Sequence, residues 1–97
     1  MAFDYNIFWT TEAVNCLETI LNDLSHRLTP LETENIKGKL SRHLSLIQQN
    51  PFLFPISQYN SRLRKTVLGN QITVFYEVTG HIIYLIHLFN NKENKIL

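Results

Sequence analysis

The chain has 97 residues, a length that suits one hydrophobic core, and we treat residues 1–97 as a single domain. Its 44% hydrophobic and 18% charged residues exclude an intrinsically disordered chain. The single cysteine excludes a disulfide scaffold. No apolar run approaches the roughly 18 residues of a membrane span, and the N-terminus lacks the basic start of a signal peptide. We therefore expect a soluble cytoplasmic protein.

The net charge is only +1, but the charges are unevenly distributed. Residues 1–34 carry six acidic residues and one basic residue, whereas residues 35–97 carry eight basic and two acidic residues. This asymmetry predicts two surfaces that differ in charge and in the partners that they attract.

The first third of the chain predicts a strand followed by a helix. Residues 4–10 alternate and are rich in aromatic side chains, as in a strand. Thr10, Thr11 and Glu12 then start a helix, because a threonine oxygen can accept a hydrogen bond from the first free N–H groups and an acid suits the helix start. Apolar residues recur along one helix face over about four turns: Ala13, Leu17, Ile20, Leu21, Leu24 and Leu28.

A second helix is predicted immediately afterwards. Thr29 is a typical N-cap, Pro30 suits the first helical position, and Glu32 completes the pattern of a capping box. The helix ends at Asn50-Pro51, and so short a connection places the two helices side by side and roughly antiparallel. Its apolar face is formed by Ile36, Leu40, Leu44 and Ile47.

The remainder predicts a loop and three strands. Residues 51–61 contain two prolines and indicate an ordered loop whose Phe52 and Phe54 fold back on the core. Residues 63–68, 72–78 and 81–89 favour strands, joined by two-residue turns at Gly69-Asn70 and Thr79-Gly80. The predicted fold is α+β in the order β-α-α-β-β-β, with two antiparallel helices on one face of a mostly antiparallel sheet.

Two-residue turns also predict the strand register. Arg64 would lie opposite Phe75, Arg62 opposite Glu77, and Tyr76 opposite Ile83. The face toward the helices would carry Leu63, Val67, Ile72, Val74, Tyr76, Val78, Ile83 and Leu85. The other face, with no third helix to cover it, is a candidate binding surface; it would carry Arg62, Arg64, Thr66, Thr73, Phe75, Glu77, Ile82, Tyr84 and Ile86.

The sequence predicts neither a metal site nor a cofactor. His26 and His43 lie on separate helices, and His81 and His87 are separated by about 20 Å along one strand, too far to share an ion. We expect His87 to be a partly buried, hydrogen-bonded residue and Cys16, with no base near it in the sequence, to be structural. Neither a glycine-rich phosphate loop nor a G-x-S-x-G motif is present.

Five short stretches follow one another along the sequence in a characteristic order. They are Tyr5-x-Ile7-x-Trp9-Thr10-x-Glu12-Ala13, Ile47-x-x-Asn50-Pro51-x-Leu53-Phe54-Pro55, Leu63-Arg64-Lys65-x-Val67-Leu68, Val74-x-Tyr76-x-Val78 and Ile86-x-Leu88-Phe89-x-Asn91-Lys92-x-Asn94. In order and spacing they resemble the RelE/ParE-type toxins of bacterial type II toxin–antitoxin systems, over nearly the whole chain.

The resemblance implies a small growth-inhibiting toxin, of a kind associated with plasmid stabilisation, that a cognate antitoxin neutralises by wrapping around it. RelE-branch members are ribosome-dependent mRNA endoribonucleases, whereas ParE-branch members poison DNA gyrase. The RelE branch usually has an arginine at the position of Thr73 and another at the position of Lys92. Thr73 carries no charge, and the lysine keeps the charge but lacks the bidentate fork with which arginine binds phosphate. Residues 90–97 also lack the tyrosine or histidine that those enzymes use.

These departures favour a ParE-like toxin that binds a protein target such as DNA gyrase. Two alternatives remain: a RelE-like ribonuclease with Arg64 and Lys92 on the phosphate, and a binding module that has lost toxicity. A net charge near zero fits poorly with docking on ribosomal RNA. We predict that the antitoxin or the target contacts Arg62, Arg64, Lys65, Phe75, Tyr84 and Lys92.

Overall fold

The computed structural model describes residues 5–69 and 71–91. The predicted order of elements is confirmed: β1 (Asn6–Trp9), α1 (Thr11–Arg27), α2 (Pro30–Gln49), β2 (Arg64–Leu68), β3 (Ile72–Thr79) and β4 (Ile82–Asn90). The strands form one sheet in the order β1-β4-β3-β2, in which only the β1–β4 pair is parallel. Within the described residues, neither helix combines the length and apolar character that a membrane crossing requires.

Both helices begin at the predicted threonine caps. The hydroxyl of Thr10 accepts a hydrogen bond from Ala13 N at 3.2 Å and donates one to the carbonyl of Leu85 at 2.7 Å. Thr29 and Glu32 form the predicted capping box, with their reciprocal hydrogen bonds at 3.1 and 2.9 Å. The first cap therefore also attaches the start of α1 to β4.

The core lies between the helices and one face of the sheet. The central strands contribute the most deeply buried side chains, and each large apolar side chain removed from water stabilises the fold by about 1.5–3 kcal/mol. Those of β3 and β4 are Ile72, Val74, Tyr76, Ile83, Leu85 and Leu88, and those of the helices are Ala13, Ile20, Leu24, Ile36, Leu40 and Ile47.

The predicted register of the first hairpin is wrong by one residue. Leu68 lies opposite Ile72, so three residues and not two separate the paired strands; of these, Asn70 lies outside the described residues. A shift of one residue turns every side chain of β2 to the other face. Thr66 and Leu68 are buried, whereas Val67 is 42% exposed, and Arg64 lies opposite Tyr76 on the helix side. The observed register buries Leu68 in place of the smaller Val67, and so removes more apolar surface from water.

The second hairpin shifts by two residues, and its faces remain as predicted as far as Leu85; beyond the bulge of β4, Leu88 is buried on the helix side. Thr79 lies opposite Ile82, so the connecting residues are Gly80 and His81. Because side chains alternate with a period of two, this shift leaves Phe75 and Tyr84 on the face away from the helices. A bulge opposite Phe75 and Tyr76 then leaves Ile86 without a partner on β3.

The loop of residues 51–56 is fastened to the helix side of the sheet. The hydroxyl of Tyr76, which is fully buried, donates to the carbonyl of Pro51 at 2.8 Å. Phe54 packs against the core as predicted, but Phe52 does not, since it is 55% exposed. Its ring instead meets the edge of Tyr5, with centroids 6.3 Å apart.

Removal of the Tyr76 hydroxyl should be costly, and the cost should depend on pH. Tyr76→Phe leaves the buried carbonyl of Pro51 without its donor, which we expect to lower the free energy of unfolding by about 1–3 kcal/mol near neutral pH. Burial raises the pKa of Tyr76 from 10.0 to about 12, although Arg64 partly opposes this. Between those values the unfolded chain loses the proton while the folded chain keeps it, so this contribution to stability is lost as pH rises above 10.

Urea unfolding of the wild type and of Tyr76→Phe at about pH 8 and about pH 11 measures this effect. The advantage of the wild type should shrink by about 1 kcal/mol at the higher pH. Other titrating groups are common to both proteins and cancel in the comparison. A constant difference between the two proteins would contradict the prediction.

Two glycines provide an opposite pair of substitutions. Gly80 has φ +59° with nothing within 4 Å of an added Cβ, so Gly80→Ala should cost about 1 kcal/mol through the backbone alone. Gly38 lies within α2, where an added Cβ would meet only Arg42 Nη1 at an ordinary 3.8 Å, so Gly38→Ala should stabilise by about 0.5–1 kcal/mol. Denaturant unfolding of both variants should give shifts of opposite sign; shifts of the same sign would count against these conformations.

Candidate functional site

The sheet face that points away from the helices carries a group of aromatic side chains. Phe8 on β1 lies opposite Tyr84 on β4, and their rings meet edge to face with centroids 5.6 Å apart. Phe75 on β3 lies opposite Lys65 on β2. Both helices pack their buried residues against the opposite face of the sheet, and Phe8 is 54% exposed. We call Phe8, Lys65, Phe75 and Tyr84 the outer aromatic face; aromatic rings beside a cation are typical of a binding surface.

The structure thus brings together three of the predicted contact residues: Lys65, Phe75 and Tyr84. Sequence reasoning missed Phe8, although its signal was present. Ile7 and Trp9 pack against the core, and strand alternation then turns Phe8 to the other face.

Arg62 lies beside this face but is paired. Its Nη2 is 3.0 Å from Oε2 of Glu77, so the two side chains form an ion pair. The Arg62 side chain is 77% exposed, and ion pairs of this kind contribute about 0–1 kcal/mol. Arg62 is therefore accessible to a partner that offers a better acid. Lys92, the remaining predicted contact residue on the C-terminal side, lies outside the described residues.

Arg64 does not lie on the face where the sequence placed it. The register puts it on the helix side, where its Nη1 donates to the carbonyl of Phe54 at 2.8 Å. Its guanidinium also lies over the Phe52 ring, 5.1 Å from the ring centroid, a distance typical of a cation–π contact. Arg64 therefore holds the loop of residues 51–56 against the sheet.

Thr73, at the position where a ribonuclease of the RelE branch has arginine, is buried. Its hydroxyl donates to Oδ1 of Asn91 at 2.9 Å. It lies between Val67 of β2 and Phe89 of β4 in the sheet register. Thr73 therefore offers no cation at this position.

A groove between α1 and the end of β4 forms a second candidate surface. β1 ends at Trp9, opposite Leu85, so no described strand pairs with the part of β4 beyond Leu85 on that side. A cavity of about 590 Å³ opens there, with Thr19 of α1 and Leu88 of β4 among its walls. An unpaired strand edge beside an apolar groove can accept an extended segment of another chain.

Three side chains that are distant in the sequence meet at one end of this groove. His87 Nδ1 lies 2.6 Å from Glu12 Oε2 and 3.4 Å from Cys16 Sγ. His87 is 40% exposed and hydrogen-bonded, which confirms the prediction for that residue. No local signal could have revealed its contact with Cys16, because 71 positions separate the two residues.

The two arginines should differ sharply when each is removed. Arg64→Ala leaves the Phe54 carbonyl without its donor and the Phe52 ring without its cation, and we expect a loss of about 1–3 kcal/mol in the free energy of unfolding. The matched control Arg62→Ala removes only an exposed ion pair and should cost less than about 1 kcal/mol. Thermal and urea unfolding measure both; equal losses would contradict the anchoring role of Arg64.

Comparison with known proteins establishes the fold. No family model matches the sequence, and no curated protein matches it either. A chain of the solved structure described as the chromosomal ParDE TA system from P. aeruginosa superposes with a TM-score of 0.77. The two sequences are 14% identical, and the match covers 92% of this chain and 98% of that chain. The fold that the sequence resemblance implied, two helices on one face of a four-stranded sheet, is therefore confirmed.

Proposed function

We propose that this chain is the toxin of a type II toxin–antitoxin module, ParE-like in action, which binds a protein target such as DNA gyrase. The observation that carries the proposal is the fold shared with a chain of a ParDE TA system over 92% of this chain. The segments of sequence that resemble RelE/ParE-type toxins support it independently of that superposition.

The arrangement of the basic residues favours target binding over RNA cleavage. A ribonuclease needs cations free to neutralise the scissile phosphate and a group that moves the proton of the 2′-hydroxyl. Arg64, the sequence candidate for the phosphate, is engaged by Phe54 and Phe52 on the helix side. Thr73 is buried and uncharged at the position where an arginine would be needed. A RelE-like activity that used Arg64 would therefore have to break the contacts by which Arg64 holds the loop of residues 51–56.

The outer aromatic face is the surface that we assign to the target. Protein interfaces are enriched in aromatic residues, and the few residues that dominate binding are usually large side chains near the centre of the contact. Phe8 and Tyr84 form one edge-to-face pair, with Phe8 on the edge strand β1 and Tyr84 on the inner strand β4, and Lys65 adds a cation beside Phe75. The antitoxin is assigned to the α1–β4 groove, where an extended segment can pair with the open edge of β4.

Supercoiling of relaxed plasmid by purified DNA gyrase tests the proposal. The purified chain should inhibit supercoiling, and Tyr84→Ala should weaken the inhibition by about tenfold or more, because it removes one ring of the edge-to-face pair. Tyr59→Ala is the matched control, since Tyr59 is 82% exposed on the loop before β2. This variant should inhibit supercoiling like the wild type. The protein encoded by an adjacent small reading frame should bind the chain and restore supercoiling.

Unchanged supercoiling at an excess of the chain would remove gyrase as the target. Cleavage of mRNA on programmed ribosomes, lost in Arg64→Ala that still folds, would instead establish the RelE-like alternative. Expression without growth arrest, together with binding of the adjacent gene product, would identify a binding module that has lost toxicity.

A further inference from the structure

Glu12, Cys16 and His87 bring three ligand atoms of different chemistry within 4.8 Å of one another. We propose that this cluster is a Zn²⁺ site, with the Glu12 carboxylate, the Cys16 sulfur and the Nδ1 atom of His87 as its protein ligands. The inference does not rest on the proposed function, because it concerns only the chemistry and geometry of these three side chains.

The donor set fits zinc better than the common hard cations. Zn²⁺ is bound by cysteine sulfur, histidine nitrogen and carboxylate oxygen, often with three protein ligands and a water molecule in the fourth position. On coordination the thiol releases its proton to solvent, so the site supplies two negative charges and a neutral imidazole to a divalent ion. Ca²⁺ and Mg²⁺ prefer oxygen ligands alone, and the sulfur and nitrogen donors disfavour them.

The spacing of the ligand atoms is close to that of a tetrahedral site. With ordinary zinc bond lengths, nitrogen and sulfur ligands lie about 3.6 Å apart, and nitrogen and carboxylate oxygen about 3.3 Å apart. Nδ1 of His87 and Sγ of Cys16 lie 3.4 Å apart. The Glu12 oxygen, at 2.6 Å from Nδ1, must withdraw by less than about 1 Å, and its side chain is 63% exposed and has room to do so.

The same geometry argues against a cysteine nucleophile activated by histidine. In such a catalytic group the histidine contacts the nucleophile through one ring nitrogen and the orienting acid through the other. Here Cys16 and Glu12 both contact Nδ1 of His87. Because the three ligand atoms all lie within 4.8 Å of one another, they can instead share one ion.

Both elements that carry the ligands are held in place by other contacts. The hydroxyl of Thr10 donates to the carbonyl of Leu85, which attaches the first turn of α1 to β4. The ring of His87 lies near those of Phe75 and Phe89, with centroids 6.4 and 6.5 Å away. A bound ion would join α1 to β4 directly. A ligand that binds the folded state and not the unfolded state raises the free energy of unfolding.

Titration of the full-length, reduced, metal-free chain with Co²⁺, followed by competition with Zn²⁺, tests the site. We expect thiolate-to-cobalt charge-transfer absorption that saturates at one equivalent and disappears when Zn²⁺ displaces the cobalt. Cys16→Ser should abolish this absorption, and His87→Gln should weaken binding by more than the roughly 10–100-fold that loss of a mere supporting residue costs. His26→Gln is the matched control, because His26 lies exposed on α1 and hydrogen-bonds the backbone of its own helix at Asn22.

Saturating Co²⁺ without thiolate absorption would overturn the proposal, as would equal affinity of the wild type and Cys16→Ser. Zn²⁺ should also raise the unfolding temperature of the wild type and of His26→Gln but not that of His87→Gln. If a variant does not fold, the spectrum of the wild type decides alone, because Cys16 is the one cysteine of the chain and the thiolate absorption can have no other source.

Discussion

The alternation of side chains along β3 and β4 is the constraint on which the other features depend. Val74 and Tyr76 on β3 and Leu85 on β4 are buried against the helices, and a strand that buries these positions must turn the intervening ones outward. Phe75 and Tyr84 therefore face away from the core whatever function they serve. The outer aromatic face lies on the side of the sheet opposite the core, because both helices pack their buried residues against the other face.

The loop of residues 51–56 changes which residues are open to a partner. The Tyr76 hydroxyl and the Arg64 guanidinium each donate to one of its carbonyls, at Pro51 and Phe54. If the Arg64 guanidinium turned to bind a phosphate, it would lose both its hydrogen bond to the Phe54 carbonyl and its contact with the Phe52 ring. This is why the proposed function relies on the aromatic rings of the outer face and not on the basic cluster of β2.

The short length of β1 has two consequences at the junction of α1 and β4. β1 ends at Trp9, so the rest of β4 keeps an open edge, and α1 begins directly beside it. The groove that we assign to the antitoxin and the Glu12–Cys16–His87 cluster both lie at this junction. A partner strand and a metal ion would stabilise the same contact between helix and sheet. The strand would pair with the backbone edge of β4, whereas the ion would bind the side chains of the cluster.

The sequence by itself determined the two helices with their threonine caps, the order of the elements and the inward faces of β3 and of β4 as far as Leu85, because these follow from local hydrogen bonding and from strong apolar periodicity. It did not determine the face of β2, where Thr66, Val67 and Leu68 offer apolar atoms on both sides and one residue of turn length selects between them. Only the tertiary structure decided that Arg64 anchors a loop and that Cys16 meets His87. Such contacts join residues far apart in the chain, and no local pattern encodes the path that brings them together.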